Sequence, residues 1–525
     1  MSNNYDVIVI GAGHNGLIAA HALAKAGKSV LVVEQRGQDE EIFPGFRLAL
    51  GADDDAGLLR QSVIDALGLV EKGVVFVEPD VTAFAPQLNG RSLTLHRNIQ
   101  QSIASIAAHS THDAGRFAAW REKIGQLTAV LDPHLQQTPT LEQMGTLLLG
   151  QPELVRYANV SARETLDWWF ENDALKGLLA SSSVIGLEHG PYAQNTGFML
   201  LYQYAHADGS GFRASRFVQG GMGKLRQAMV TAAMGQGVEM RGETAVSHIL
   251  LNDGRATGVV LADGETINAG LVVSSATPRH TFFNLVKPYN LEPRFMRRVR
   301  SQVYRGTTAK LILAVSQLPE FIGQTEAAQL NGHIVICPST EYLERAADAG
   351  KYGRFCPNPM LDLTIPTRHA PELAPAEQHI LNITMRYAHY TLRGSSWGEQ
   401  RQALAETIVQ TLANYAPGLR DTILHQRLIT PLDWEQQFGL TEGCLHHGQM
   451  GLEQMFAMRP VPGWGQYATP IANLYLCGAG SHPGGGLTAA DPPEEEIGLT
   501  ATGRAHSLSA RSTVEPVGWG LRAPS

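Results

Sequence analysis

The run Gly11-Ala12-Gly13-His14-Asn15-Gly16 constrains this chain more tightly than any other feature. It follows the β-branched stretch at residues 5–10 and opens a segment, 15–26, with Ala and Leu at helical spacing. A second β-branched stretch at 29–34 completes a β-α-β unit. Within it Gly11 permits a tight turn, Gly13 lets the backbone approach a pyrophosphate, and Gly16 allows the helix to pack closely on the strand. The helix N-terminus adds partial positive charge. Glu34, eighteen residues past Gly16, is placed to accept hydrogen bonds from a ribose. The spacing predicts a dinucleotide site; an acidic residue at 34 disfavours a 2′-phosphate and leaves NAD and FAD both open.

A chain of 525 residues with 44% hydrophobic content is long enough for two or three domains with large cores. A net charge of −8 without clustered Lys and Arg argues against a nucleic-acid partner. Cys337, Cys356, Cys444 and Cys477 form no C-x-x-C pair, so neither a zinc site nor a dithiol centre is signalled, and their sparse use fits a reducing compartment. The apolar runs at 7–10 and 31–33 are far short of the roughly 20 residues a bilayer span needs. No charged-then-apolar signal precedes Tyr5. The expected location is cytoplasmic.

Between 99 and 170 the composition is mainly helical and carries no nucleotide signature, which suits a substrate or cap domain. Short strands are expected at 238–240, 245–251, 256–261 and 271–274, separated by Asn-Asp-Gly and Asp-Gly turns. Further strands are expected at 308–315 and 380–390, and a helix at 397–415. A last buried strand at 474–477 runs into Gly478-Ala479-Gly480-Ser481-His482-Pro483-Gly484-Gly485-Gly486, a loop whose backbone can approach a ligand closely. The tail after 507 reads as lacking fixed structure.

The chain resembles the phytoene desaturase and pyridine nucleotide-disulfide oxidoreductase domain 2 group of the FAD-dependent amine-oxidase-like superfamily over nearly its whole length. The resemblance is carried by the N-terminal fingerprint, Phe43-Pro44-Gly45-Phe46, Gln219-Gly220-Gly221-Met222-Gly223, Val272-Val273-Ser274-Ser275-Ala276 and the C-terminal Gly-rich loop. It implies an α/β fold: a Rossmann-like FAD-binding domain built from discontinuous segments (1–75, 216–290, 465–510), a mixed α+β substrate domain (76–215, 291–464) and a flexible tail (511–525). It also implies that Val246 contacts the adenine side through its backbone. Gly478, Ala479, Gly485, Gly486 and Leu487 would lie along the diphosphate and isoalloxazine.

Two segments depart from the family pattern. Its paired-glycine element after the acidic residue is shortened here to Gln38-Asp39-Glu40-Glu41, and the usual glycines after Thr488 are replaced by Ala489-Ala490-Asp491-Pro492-Pro493-Glu494-Glu495-Glu496. Lys310 sits on a strand like the one carrying the flavin-facing lysine of amine oxidases, although a lysine on an alternating strand more often faces solvent. His482, beside the Gly-rich loop, is the second catalytic candidate, as a group titrating near neutrality. No second G-x-G-x-x-G follows a strand, so the expected electron acceptor is oxygen or a quinone. The expected reaction is dehydrogenation or desaturation of a small apolar substrate, isoprenoid or amine-containing, with peripheral membrane contact suited to such a substrate.

Two other readings compete. Gly394-Ser395-Ser396-Trp397-Gly398 matches the nucleophile elbow of serine hydrolases, with Ser396 as nucleophile and Asp433 and His446 following in order. The altered segments fit a non-catalytic binding protein on the same fold. Trp168, Trp169, Trp434 and Trp464 are candidates for either core packing or a substrate channel. His446 and His447 are adjacent and give no metal site, because neighbouring side chains diverge.

Overall fold

The computed structural model describes residues 4–37, 41–51, 54–205 and 212–488. Residues 38–40 of the shortened segment, residues 489–496 and the tail 511–525 lie outside the described residues.

The chain begins with β1 (Asn4–Ile10), α1 (His14–Lys25) and β2 (Val30–Val33). It then places β3 (Val81–Pro86) and β4 (Ser92–His96) in a different layer and builds a helical region. The helix α2 (Gly221–Gly235) leads back to β5 (Glu239–Arg241), β6 (Val246–Asn252), β7 (Arg255–Leu261) and β8 (Thr266–Ser274). Next come β9 (Thr308–Val315), β10 (His333–Ile336), β11 (Met360–Thr364), β12 (His379–Arg386), α3 (Trp397–Tyr415), β13 (Ile423–Ile429) and α4 (Pro431–Phe438). The last strand among the described residues is β14 (Leu474–Leu476).

Two seven-stranded sheets organise these elements. The first runs β6-β7-β8-β1-β2-β5, with β14 added on β8. Its strands β5, β2, β1, β8 and β14 are parallel. Val7, Ile8 and Val9 are fully buried, as expected of a central parallel strand covered on both faces. One face packs on α1 and α2 through Leu17, Leu23, Leu225 and Met229, and the other on Phe282, Phe295 and Val461.

Register decides what this sheet presents. Ile10 pairs with Val33 and with Ser274, and Ser274 pairs with Leu476. The turns leaving β1, β8 and β14 therefore emerge level with one another at the C-terminal edge, where ligands of open α/β sheets bind.

The second sheet runs β13-β9-β12-β11-β10-β3-β4 and is largely antiparallel. All eight residues of β9 are buried, so Lys310 does not face solvent; it is 3% exposed. Leu311, Leu313, Leu381 and Ile383 fill the core beneath α3. The other face alternates with them, and on it Ala314, Ile312 and Ile380 meet Ile42, Phe46 and Leu48. Phe46 belongs to the Pro-Gly-Phe turn, whose Phe43 stacks on His425 at 5.2 Å between centroids. The membership of β3 and β4 in this sheet was not expected from sequence.

Gly16 shows how tightly the first sheet is closed. A Cβ there would lie 2.0 Å from the carbonyl oxygen of Gly11. Gly16→Ala is expected to cost about 1–3 kcal/mol by overpacking. The shift of the urea unfolding midpoint at unchanged slope measures it, and an unshifted midpoint would contradict this account of the turn.

Candidate functional site

The fingerprint turn is held from three sides. The Gly11 amide donates to Val33 O at 2.8 Å, and the Ser275 hydroxyl donates to Ile10 O at 2.7 Å. A Cβ at Gly11 would come 2.2 Å from that Ser275 Oγ, which is why this position takes glycine. Gly13 is different, because a Cβ there would meet nothing within 4 Å. The space in front of Gly13 is open, not filled by protein.

Glu34 closes the other end of the unit. Its carboxylate accepts from the Ala12 amide at 2.7 Å and the Arg36 amide at 2.9 Å. Its own amide donates to Arg241 O, and its carbonyl accepts from Thr244, both at 2.8 Å. That pairing brings the segment leading to Val246, the first residue of β6, alongside Glu34.

The Gly-rich loop after β14 begins where Cys477 donates to Ser274 O at 2.9 Å. A Cβ at Gly478 would lie 2.4 Å from Ser275 O and 3.2 Å from His447 Nδ1. The Nε2 of His14 and the Nδ1 of His447 are buried here without a hydrogen-bond partner among the described residues. Burial lowers the His14 pKa to about 4, and burial with Arg459 and His14 lowers that of His447 to about 3, so both rings are neutral. An open glycine backbone, a helix N-terminus and two buried imidazole nitrogens lacking partners are suited to a dinucleotide diphosphate.

Arg459 fixes this loop. It is 1% exposed and donates to five carbonyls: Ala479 at 2.8 Å, Gln449 at 2.9 Å, His446 at 2.5 Å, and Gln454 and Gly448 at 3.3 Å. Its guanidinium thus ties the Gly-rich loop to the 446–454 segment. Nothing in the sequence around Arg459 marks it for this role.

Loop 477–488 separates two cavities. On the α1 side about 540 Å³ of open space is lined by Asn15, Ile18, Ala19, Gly478, Gly484 and His482. His482 therefore faces the dinucleotide side. Burial and the nearby Arg459 lower its pKa to about 3, so it does not titrate near neutrality as expected from sequence.

On the other side about 730 Å³ of open space lies between Gly485, Gly486, Leu487 and the second sheet. Leu58, Ile185 and Leu445 supply apolar wall, while Asp54, Asp55, Arg213, His333, Asp362 and Arg386 supply charge. His446 packs on Gly485, where a Cβ would lie 2.3 Å from its ring, and burial and Arg386 lower its pKa to about 3. The Tyr202 hydroxyl donates to Gly485 O at 3.0 Å. Lys310 stands behind the wall: its ammonium donates to Asp54 and, at 2.9 Å, to Gly51 O.

The remaining candidates fall elsewhere. Ser396 is exposed and caps α3 in a capping box with Glu399, so the G-x-S-x-G match is a helix start and not a nucleophile elbow. Asp433 completes the capping box of α4 with Thr430 and pairs with Arg401 at 2.7 Å. The four tryptophans sit in three separate cores, Trp168 and Trp169 against the helical core, Trp434 beside Ile42 and Trp464 beside Phe295, and none lines the cavity.

Residues 156–490 match the flavin containing amine oxidoreductases, and residues 9–39 match an NAD(P)-binding Rossmann-like domain. The chain belongs to the flavin containing amine oxidoreductase family. The chain is 33% identical to the pyridine nucleotide-disulfide oxidoreductase domain-containing protein 2 of Rattus norvegicus, across 93% of this chain and 91% of that protein. It is 26% identical to a limonene dehydrogenase polypeptide of Castellaniella defragrans, across 94% and 95%. In fold it is similar to an oxidoreductase from Methanosarcina mazei, with a TM-score of 0.61, 17% identity and coverage of 94% and 100%. Cyclohexylamine oxidase from Brevibacterium oxydans gives 0.54, 15%, 94% and 96%. The protein is an oxidoreductase that uses FAD, and the open diphosphate cradle fits that cofactor. Among the described residues no helix is long and apolar enough to cross a membrane.

The cavity wall carries its own pH dependence. His333, 1% exposed, bridges Asp55 at 3.0 Å and Asp362 at 2.9 Å with Arg213 beside it. Burial and Arg213 oppose its charge, but the two carboxylates outweigh them and raise its pKa above the ordinary 6.5. The bridge therefore stabilises fully below that ordinary value and is lost as pH rises through the raised one. Unfolding free energy is expected to fall from about pH 6.5 upward. His333→Gln should flatten that alkaline decline, and equal slopes in both proteins would contradict the bridging role.

Proposed function

We propose that the chain is an FAD-dependent dehydrogenase or desaturase that removes a hydride equivalent from a small organic substrate with an apolar body. Oxygen or a quinone serves as acceptor. The observation that carries this reading is the contact of a side-chain-free stretch, Gly485 and Gly486, with a cavity whose far wall is a rigid sheet. A substrate in that cavity meets no side chain of residues 485 and 486, so a flat ring system along them is accessible to a C–H or N–H bond. FAD, when bound, supplies the redox chemistry by accepting the hydride equivalent.

The residues expected to hold the cofactor are those of the fingerprint together with those the family resemblance implies, and the open space at Gly13 supports the reading. Glu34 would take the ribose and the Val246 backbone the adenine side. Gly11, Gly13, Gly16 and His14 would cradle the diphosphate, with Gly478, Ala479 and residues 485–487 along the rest. Leu58, Ile185, Leu445 and Leu487 would seat the apolar body and exclude water. Relatives named for limonene and phytoene support an apolar body. The sequence carries one dinucleotide fingerprint, and its four cysteines are all free, which supports an acceptor other than a second nicotinamide unit or a dithiol.

The purified protein is expected to show flavin absorption bands between about 300 and 550 nm, released as FAD on denaturation. Anaerobic addition of a substrate should bleach them. Protein that binds no flavin even after reconstitution would overturn the reading, and protein that binds FAD but is bleached by no organic donor would favour a binding role.

A further inference from the structure

The sheet wall of the substrate cavity contains more charge than an apolar substrate alone explains. Asp54, Asp55 and Asp362 converge there, and all of their carboxylate oxygens are engaged. Asp54 accepts from Lys310, from Asn382 at 2.8 Å and from Thr384 at 3.1 Å. Asp55 accepts from the Gly57 amide at 2.6 Å and meets His333 at 3.0 Å. Asp362 meets His333 at 2.9 Å and accepts from Arg213. Lys310, Arg213 and His333 are each matched to a carboxylate.

Arg386 is not. It is 7% exposed and lines the cavity, yet its one side-chain hydrogen bond is to the neutral Thr308 hydroxyl at 3.3 Å. None of the three aspartates hydrogen-bonds it: Asp362 and Asp54 act on it only through space, and among the described residues no acid forms an ion pair with it. Strand pairing sets its position: Arg386 faces Thr308 across β12 and β9, one same-face step beyond the Thr384 and Lys310 pair, and both Arg386 and Thr308 line the cavity. Burial outweighs that distant attraction and holds its pKa below the ordinary arginine value, and a guanidinium withdrawn from water with no hydrogen-bonded anion is unfavourable unless a ligand supplies one.

We propose that Arg386 is the anion-recognition residue of this cavity, and that the substrate carries a carboxylate on its apolar body. The planar guanidinium fork matches a carboxylate in two parallel hydrogen bonds, which fixes orientation as well as charge. Leu58, Ile185, Leu445 and Leu487 then receive the rest of the molecule beside Gly485 and Gly486. This deepens the dehydrogenase reading and rests on it.

The test uses FAD-loaded wild-type protein, Arg386→Met and Arg386→Lys, with hexanoate and its neutral counterpart hexanamide as probes. Binding is read from the perturbation of the flavin bands and, separately, from the melting temperature. Wild type is expected to bind hexanoate at least about tenfold more tightly than hexanamide, a preference that Arg386→Met loses and Arg386→Lys keeps in part. Ligand-free Arg386→Met is expected to melt no lower than wild type, because the unpaired charge is gone. Equal affinity of wild type for the two probes, no saturable response to either, or undiminished hexanoate preference in Arg386→Met would overturn the assignment. Protein without flavin would sink the dehydrogenase reading instead, while the melting temperatures still report the hexanoate preference.

Discussion

Everything at the site depends on the parallel pairing of β1, β8 and β14. These strands come from the beginning, middle and end of the chain, yet Ile10, Ser274 and Leu476 stand level across them. A one-residue slip of β14 would turn Leu474 and Leu476 out of the core and carry Gly478 away from Ser275. Once the register is set, the fingerprint turn and the Gly-rich loop are neighbours, and the cofactor cradle needs no further element to bring its halves together.

The site interior is polar in two different ways. Among the described residues Arg459 donates to carbonyls and to no acid, so its charge is spread over several peptide dipoles. Each carbonyl left without a donor would cost about 1–3 kcal/mol, so the clamp is favourable only because it serves several at once. The aspartates of the cavity wall are matched instead to cations, in a region where breaking one pair costs about 3–5 kcal/mol. The first arrangement holds a loop still. The second keeps a charged surface in place beside an otherwise apolar pocket.

Much of this was legible in the sequence, because it rests on local periodicity. The β-α-β unit, the hairpin strands after α2, the strand bearing Lys310 and the helix at 397–415 were all expected close to where they occur. The buried polar cluster was not. Asn382, Thr384 and Arg386 alternate with Leu381, Ile383 and Met385, so their common face was readable in principle. What joins them to Lys310, Asp362 and His333 is the order of strands in an antiparallel sheet, which no local pattern encodes. The same gap explains Lys310, whose partner Asp54 lies 256 residues away, and Arg459, whose acceptors come from three separate turns. Ser396 erred in the opposite direction: a short motif matched, but the same residues are a capping box, and the helix that follows accounts for them fully.

The placement of β14 also bears on how the protein is made. The C-terminal half of β8 has β1 on one side and β14 on the other, and β14 comes roughly two hundred residues later in the chain. During synthesis that edge stays open, with its amides and carbonyls unpaired, until the last strand has left the ribosome. The cofactor cradle can close only then. A nascent chain of this kind is exposed to edge-to-edge association while those intervening residues are added, and early flavin supply would not shorten that window.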